Sequence, residues 1–180
     1  MAELMVSYFK SEKEKVRVLV LSDSHGDVDG IIAIITRHIA EIDLVLFLGD
    51  GASDLIEVSY IFPELSFFAV VGNNDFEVNN VAQLKFPLEH LVCINDVKIY
   101  MTHGHIAHYK DVPEVVRKRA LKQGAHVSLY GHLHIPIIDR KGTHLQLNPG
   151  SIRYPRAGND ATYALLDIDK IDVNAMFLNV

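Results

Sequence analysis

The sequence predicts an α/β domain with two sheets rather than one doubly wound sheet. Two features of the chain carry this. Short apolar, β-branched runs recur with helical patterns between them, and after the last helical pattern the chain turns to strand-like runs joined by turn residues. Length agrees: 180 residues, 49% hydrophobic and 22% charged, suit a single domain over 1–180 that buries a core.

The elements follow in order. Val16 to Leu21 reads as a buried strand, and Ile31 to Ala40 as a helix behind Asp27 and Asp29 as caps. Leu44 to Leu48 is the next strand. Leu55 to Ile61 follows Ser53 and Asp54 as a helix that Pro63 stops, and Phe67 to Val71 and Val97 to Met101 continue the strands. The third helix has Asp111 as N-cap, Pro113 in its first turn, Val112, Val116 and Ala120 spaced by four, and Gly124 beyond its end. Val127 to Tyr130 is again a buried strand. Ile137 to Asp139 (entered through Pro136), Thr143 to Leu147, Thr162 to Asp167 and Ile171 to Leu178 read as antiparallel strands. Their joints are Lys141-Gly142, Asn148-Pro149-Gly150 and Asp169-Lys170. Residues 1–15 are expected as a flexible N-terminal tail.

Composition excludes several classes. With 17 Lys and Arg against 23 Asp and Glu the formal charge is −6, which argues against a general grip on nucleic acid or anionic membrane. Cys93 is the single cysteine, so neither an intrachain disulfide nor a multi-thiolate zinc site can form. It reads as a small buried apolar residue, and a reducing, cytoplasmic setting fits. Lys10, Glu12, Lys13, Glu14 and Lys15 occupy the region where a secretory signal needs an apolar core, so none is expected. The apolar runs fall far short of the roughly 20 residues that span a bilayer.

Histidine stands out instead. Five of ten histidines fall in three short motifs, and the early and middle strands each run into a polar cluster: Asp23-Ser24-His25, Gly49-Asp50, Gly72-Asn73-Asn74-Asp75, Thr102-His103-Gly104-His105 and Gly131-His132-Leu133-His134. Residues two apart in extended chain project to the same side, so each Asp-x-His or His-x-His pair can converge on one point. Neighbouring strands would bring the clusters to one rim, where open α/β sheets bind ligands. That rim would hold about seven N and O donors, more than one ion takes and close to what two ions sharing a carboxylate need. Imidazole, carboxylate and amide without thiolate suit Mn, Fe, Co, Ni or Zn and argue against a pure Mg or Ca site. Taken singly, Asp23-x-His25 also fits a capping loop and Gly49-Asp50 a turn, whereas two same-side histidines after a buried strand would be costly without a partner.

Taken together and in order, these motifs resemble the calcineurin-like metallophosphoesterases: Asp-x-His, Gly-Asp, Gly-Asn-His-Asp, a His and then Gly-His-x-His, from Asp23 to His134. The chain's size, Thr102-His103-Gly104-His105 and Asn148-Pro149-Gly150-Ser151 are most similar to the short YfcE-type phosphodiesterase branch. The resemblance implies a four-layer αββα sandwich of two mixed sheets flanked by helices. It also implies two divalent metal ions, Mn foremost, with Asp23, His25 and His134 on one, Asn73, His103 and His132 on the other, and Asp50 bridging. The implied activity is hydrolysis of phosphate esters, phosphodiesters above all, with a metal-bridging hydroxide as nucleophile and a small-molecule ester as substrate. One position departs from the pattern: the histidine of Gly-Asn-His-Asp is Asn74, whose amide can orient a phosphoryl oxygen but cannot deliver a proton near neutral pH.

His105 stands beyond the seven-ligand set and is expected to orient a ligand or meet the phosphate. Asp75 is expected to support neighbouring groups. His38, His90, His108, His126 and His144 read as surface or packing residues. Arg153 and Arg156, after the Asn148-Pro149-Gly150-Ser151 turn, read by default as exposed arginines, with contact to a substrate anion as the alternative. A dinuclear amidohydrolase or metallo-β-lactamase-type hydrolase is a weaker match, since its motifs open on His-x-His. The remaining alternative is a protein-interaction scaffold of the same fold, like the retromer subunit. Homo-oligomerisation is left open.

Overall fold

The computed structural model describes residues 4–75 and 86–180. The strands are β1 (Met5–Phe9), β2 (Lys15–Leu21), β3 (Leu44–Phe47), β4 (Ser66–Ala69), β5 (Glu89–Ile94), β6 (Val97–Thr102), β7 (Val127–Tyr130), β8 (Pro136–Lys141), β9 (His144–Pro149), β10 (Thr162–Asp169) and β11 (Asp172–Asn179). The helices are α1 (Val28–His38), α2 (Ala52–Ile61) and α3 (Val112–Lys122). They form two mixed sheets, one of five strands ordered β11-β10-β2-β3-β4 and one of six ordered β1-β5-β6-β7-β9-β8. Within them β2, β3 and β4 run parallel, as do β6, β7 and β9.

Side-chain alternation explains the layering. In β2, Val16, Val18 and Val20 enter the core between the sheets, where they join Leu44, Leu46, Ile99, Met101, Val127, Leu129, Leu145 and Leu147. Leu19 and Leu21 face the other way and pack with Val45 and Phe47 against Ile31, Ile34 and Ile35 of α1 and Leu55 and Val58 of α2. On the far side Tyr100 and Tyr130 meet Val112, Val116 and Ala120 of α3. The order is therefore helices, sheet, sheet, helix: the expected αββα sandwich. Asp27 caps α1 by accepting the Gly30 N–H at 3.0 Å, as its sequence position indicated.

The sequence reading missed two strands. Met5–Phe9 lies inside the expected tail, yet it is the edge strand β1, parallel to β5 with Met5 opposite His90 and Phe9 opposite Ile94. Phe9 packs onto the inter-sheet core, and the Ser7 hydroxyl bonds His90 Nε2 at 2.8 Å. This tertiary anchoring overrides the charged run that follows; residues 1–3 of the expected tail lie outside the described residues. β5, whose Leu91–Ile94 run is apolar, completes the pairing that β1 needs.

Candidate metal centre

Both sheets deliver their parallel strands to one rim. Asp23 and His25 follow β2, Asp50 follows β3 and Asn73 follows β4, while His103 follows β6 and His132 and His134 follow β7. Five of these residues turn the chain through the left-handed region: φ is 57° at Asp23, 46° at His25, 56° at Asp50, 65° at His132 and 57° at His134. Non-glycine residues hold that conformation at a cost of about 1–3 kcal/mol each, and such strain clusters where geometry serves a site. The neighbouring glycines are steric necessities. A Cβ on Gly72 would lie 2.1 Å from Asp50 Oδ1, and one on Gly131 2.9 Å from Asp23 Oδ2.

Asp23, His25, Asp50 and His134 each place one ligand-competent atom within 4.8 Å of the others. His134 Nε2 is 3.0 Å from Asp23 Oδ1, and His25 Nε2 is 3.8 Å from Asp50 Oδ2. His103 Nε2 stands 3.5 Å from the same Asp50 Oδ2 and 3.9 Å from Asp23 Oδ1, and the His132 ring is 5.1 Å from that of His103. His105 packs behind, 5.5 Å from the His103 ring and 6.5 Å from that of His132. These distances bring six of the seven expected ligands together with His105 beside them, and Asn73 follows β4 toward the same rim.

The fit to a cation can be tested on atoms the protein leaves unsatisfied. Among the described residues, Asp23 Oδ1, Asn73 Oδ1 and His103 Nε2 are buried without a hydrogen-bond partner, which is costly for a protein to retain. The tautomers point the same way. His103 Nδ1 lies 2.7 Å from the Leu48 carbonyl and His134 Nδ1 2.7 Å from the Tyr154 carbonyl. A carbonyl only accepts, so each Nδ1 carries the proton and each Nε2 of a neutral ring turns its lone pair inward. Electrostatics also favours positive charge here. Burial alone would raise the Asp50 pKa, but His103 and the Asn74 hydrogen bonds hold it well below the usual carboxylate range. Burial opposes a charged His103, yet Asp50 and Asp23 outweigh it and push that imidazole up. Burial and then the His103 charge push His132 and His105 down, which favours their neutral, ligating form. The donors fit a divalent cation.

Further groups support these ligands. The Asp75 carboxylate accepts the N–H groups of Asp50, Gly51, Ala52 and Gly72 at 2.6–2.9 Å, which ties the Asp50 loop to the Asn73 loop. Its supporting role was legible; its partners were not. Asp54, read only as a helix-start residue, accepts from Ser24 Oγ at 2.6 Å and Gly26 N–H at 2.8 Å and so fixes the His25 loop. Ser151 donates to the Asp23 carbonyl at 2.9 Å, and Asn148 Nδ2 to that of Gly131 at 2.7 Å, so the turn after β9 braces the rim. Asn74 is exposed and donates both its backbone N–H (2.8 Å) and its amide (2.6 Å) to Asp50, a partner that leaves no local trace in the sequence. Of the remaining histidines, His38, His90, His126 and His144 hydrogen-bond within the fold, and His108 is exposed. Cys93 is buried and free.

Comparison with known proteins agrees with this geometry. Residues 16–171 match the calcineurin-like phosphoesterase superfamily domain. The chain is 37% identical over 155 residues to the probable metallophosphoesterase YsnB of Bacillus subtilis, which covers 86% of this chain and 85% of that protein. It is 36% identical over 111 residues to the phosphodiesterase YfcE of Escherichia coli, but that match covers 60% of this chain and only 56% of YfcE. Among solved structures, a Streptococcus pneumoniae protein described as a predicted phosphoesterase superposes with TM-score 0.75 at 31% identity, covering 92% and 90% of the two chains. Chaetomium thermophilum Vps29 superposes with TM-score 0.70 over 91% and 95%, and at 18% identity it shows the fold alone.

Proposed function

The chain belongs to the calcineurin-like phosphoesterase superfamily, and from that premise we propose that it is a dinuclear metal-dependent phosphodiesterase. The observation that carries this reading is the set of ligand atoms that are buried and unpartnered among the described residues, Asp23 Oδ1, Asn73 Oδ1 and His103 Nε2, more than one ligand position at one rim. Asp23, His25 and His134 would hold one ion, Asn73, His103 and His132 the other, with Asp50 shared. Two divalent ions of the Mn, Fe, Co, Ni or Zn type would supply an activated water near neutral pH and neutralise charge on the phosphoryl oxygens. The protein's own part is to hold the ligands rigid: Asp75 fixes the Asp50 loop, and the Leu48 and Tyr154 carbonyls set the His103 and His134 rings. Asn74, exposed beside Asp50, orients a phosphoryl oxygen without protonating the leaving group, and His105 steadies His103 and His132. No serine or cysteine nucleophile is required.

A scaffold role of the Vps29 kind remains the alternative, and the intact ligand set disfavours it, since a pure interaction surface gains nothing from orphaned buried donors. Elemental analysis of protein purified without chelator, followed by reconstitution and a screen against phosphodiesters, phosphomonoesters, cyclic nucleotides and RNA, tests the proposal. Two ions per chain with preferred turnover of small diesters is expected. Full activity at one ion per chain would defeat the dinuclear reading, and a metal-loaded protein inert on every ester would defeat the enzymatic one.

A further inference from the structure

The turn after β9 continues into Arg153 and Tyr154, and both are built into the ligand frame. The Ser151 hydroxyl that bonds the Asp23 carbonyl also accepts the N–H groups of Arg153 (3.2 Å) and Tyr154 (2.9 Å). The Tyr154 carbonyl holds His134 Nδ1, and the Tyr154 ring leans on the His25 ring at 5.4 Å. The Arg153 guanidinium carbon lies 5.2 Å from the centre of the Tyr154 ring, and Arg153 Nη1 donates to the His25 carbonyl at 2.6 Å. Space for that contact comes from Gly26, whose missing Cβ would sit 3.3 Å from Nη1. An exposed arginine ordinarily gives up considerable rotamer entropy when fixed in one place. Here a stacking face and a carbonyl fix it while it stays exposed beside a ligand-bearing loop.

Resting on the phosphodiesterase reading, we infer that Arg153 is an anion clamp for the substrate, selecting phosphodiesters that carry a second anionic group, carboxylate or phosphate, on the arm that lies against His25. The same residue, His25, offers its carbonyl to Arg153 and its imidazole to the centre, so an ester bound at the centre brings a substituent alongside the guanidinium. The His25 carbonyl takes one of the five guanidinium N–H donors, and the planar fork suits paired hydrogen bonds to a carboxylate or phosphate. Tyr154 is a positioning residue: it presents the guanidinium by stacking and touches substrate only through it.

Two diesters with one leaving group isolate the effect: p-nitrophenyl carboxypropyl phosphate and its neutral counterpart, p-nitrophenyl carbamoylpropyl phosphate. Wild type should favour the acid by about 10-fold in kcat/KM, the size of one charge-assisted hydrogen bond, and through KM rather than kcat. Arg153→Ala should bring the ratio close to one, Arg153→Lys should keep only part of it, and Tyr154→Leu should weaken it. Added salt should shrink the preference in wild type and leave Arg153→Ala unchanged. Calorimetric binding of p-carboxybenzylphosphonate against benzylphosphonate gives the same ratio without turnover, with metal content measured for every variant. A wild type indifferent to the carboxylate, or an Arg153→Ala protein with full metal and unchanged preference, overturns the clamp while leaving the phosphodiesterase reading standing. If metal-replete wild type neither cleaves either diester nor binds either phosphonate, the phosphodiesterase reading itself fails, and the clamp falls with it.

Discussion

The two sheets contribute different chemistry to one rim. The five-stranded sheet supplies every oxygen donor of the expected set, Asp23, Asp50 and Asn73, with His25 as its one imidazole, whereas the six-stranded sheet supplies only imidazoles, His103, His105, His132 and His134. Among the expected ligands the shortest contacts cross between sheets: His134 Nε2 lies 3.0 Å from Asp23 Oδ1 and 3.4 Å from His25 Nε2, and His103 Nε2 lies 3.5 Å from Asp50 Oδ2. Neither sheet alone presents a full coordination sphere, so the packing that buries Val18, Leu46, Met101 and Leu129 between them also assembles the site. Charge balance is split in the same way, with carboxylates on one face and the groups that answer them on the other.

The strongest way to break the comparison is to remove one donor from each sheet. Asp50→Asn takes away the carboxylate charge proposed to be shared by two ions; His132→Ala takes an imidazole from the opposite sheet. Each forfeits several kcal/mol of transition-state stabilisation, a loss of about 10³-fold or more in kcat. Circular dichroism should stay near wild type, because both residues end strands rather than pack within them. Wild-type turnover with full metal in either variant would show that its sheet does not contribute as described.

A smaller effect is expected at Asn74. A general acid is worth about 10²–10⁴ in rate only where the leaving group needs a proton. Wild type should hydrolyse activated aryl diesters readily and alkyl diesters or phosphomonoesters poorly. Asn74→His should raise kcat/KM on an alkyl diester by about 10²-fold and on an aryl diester hardly at all, at matched metal occupancy. An equal change on both would trace the effect to Asp50, which the Asn74 amide also holds, rather than to proton delivery.

Legibility in the sequence differed between the sheets. Continuous apolar runs before Asp23, Asp50 and His132 announced their strands, and the two-residue spacing of the histidines announced convergence, because both are local patterns. The edge formed by β1 and β5 was missed, since what makes Met5–Phe9 a strand is its pairing with a segment more than 80 residues away. Asp54 was seen only as a helix start because its bonds to Ser24 and Gly26 span about 30 positions and leave no periodic trace. Asn74 could be flagged as a departure from a motif, but its grip on Asp50 depends on a turn that only the folded chain shows.

If the centre joins the sheets, removing metal should loosen the whole fold. A ligand held at 100 to 1,000 times its Kd stabilises the native state by about 2.7–4.1 kcal/mol. For a domain of this size each kcal/mol is roughly 2–4 °C in Tm, so chelation should lower Tm by about 5–15 °C. Adding back Mn should restore it. An unchanged Tm after verified metal loss would mean that sheet packing alone holds the rim in place.

The smallest effect separates two buried histidines of the same sheet. His103 is fully buried against Asp50 and Asp23 and is pushed up; His90 is 3% exposed and is pushed down by burial, only partly offset by the Ala69 carbonyl. His90 bridges the sheets by a different route: Nδ1 lies 3.3 Å from that carbonyl of β4, Nε2 2.8 Å from Ser7 Oγ of β1, and its ring meets Phe68 edge-on at 5.8 Å. Among the described residues it is burial that governs His90, and burial favours its neutral form. The unfolded chain then takes up a proton first as pH falls below the ordinary value of 6.5. Stability from His90 is therefore complete above that pH and declines as pH drops from 6.5 toward the lowered native value. Metal-free protein removes competition at the centre, and His144, also pushed down by burial, slopes the same way, so the informative quantity is a difference. Tm measured from pH 7.5 down to pH 5.5 should fall more steeply in wild type than in His90→Gln; about two units around 6.5 bracket the titration. Parallel curves would show that His90 titrates alike in both states and that burial alone does not distinguish it from His103.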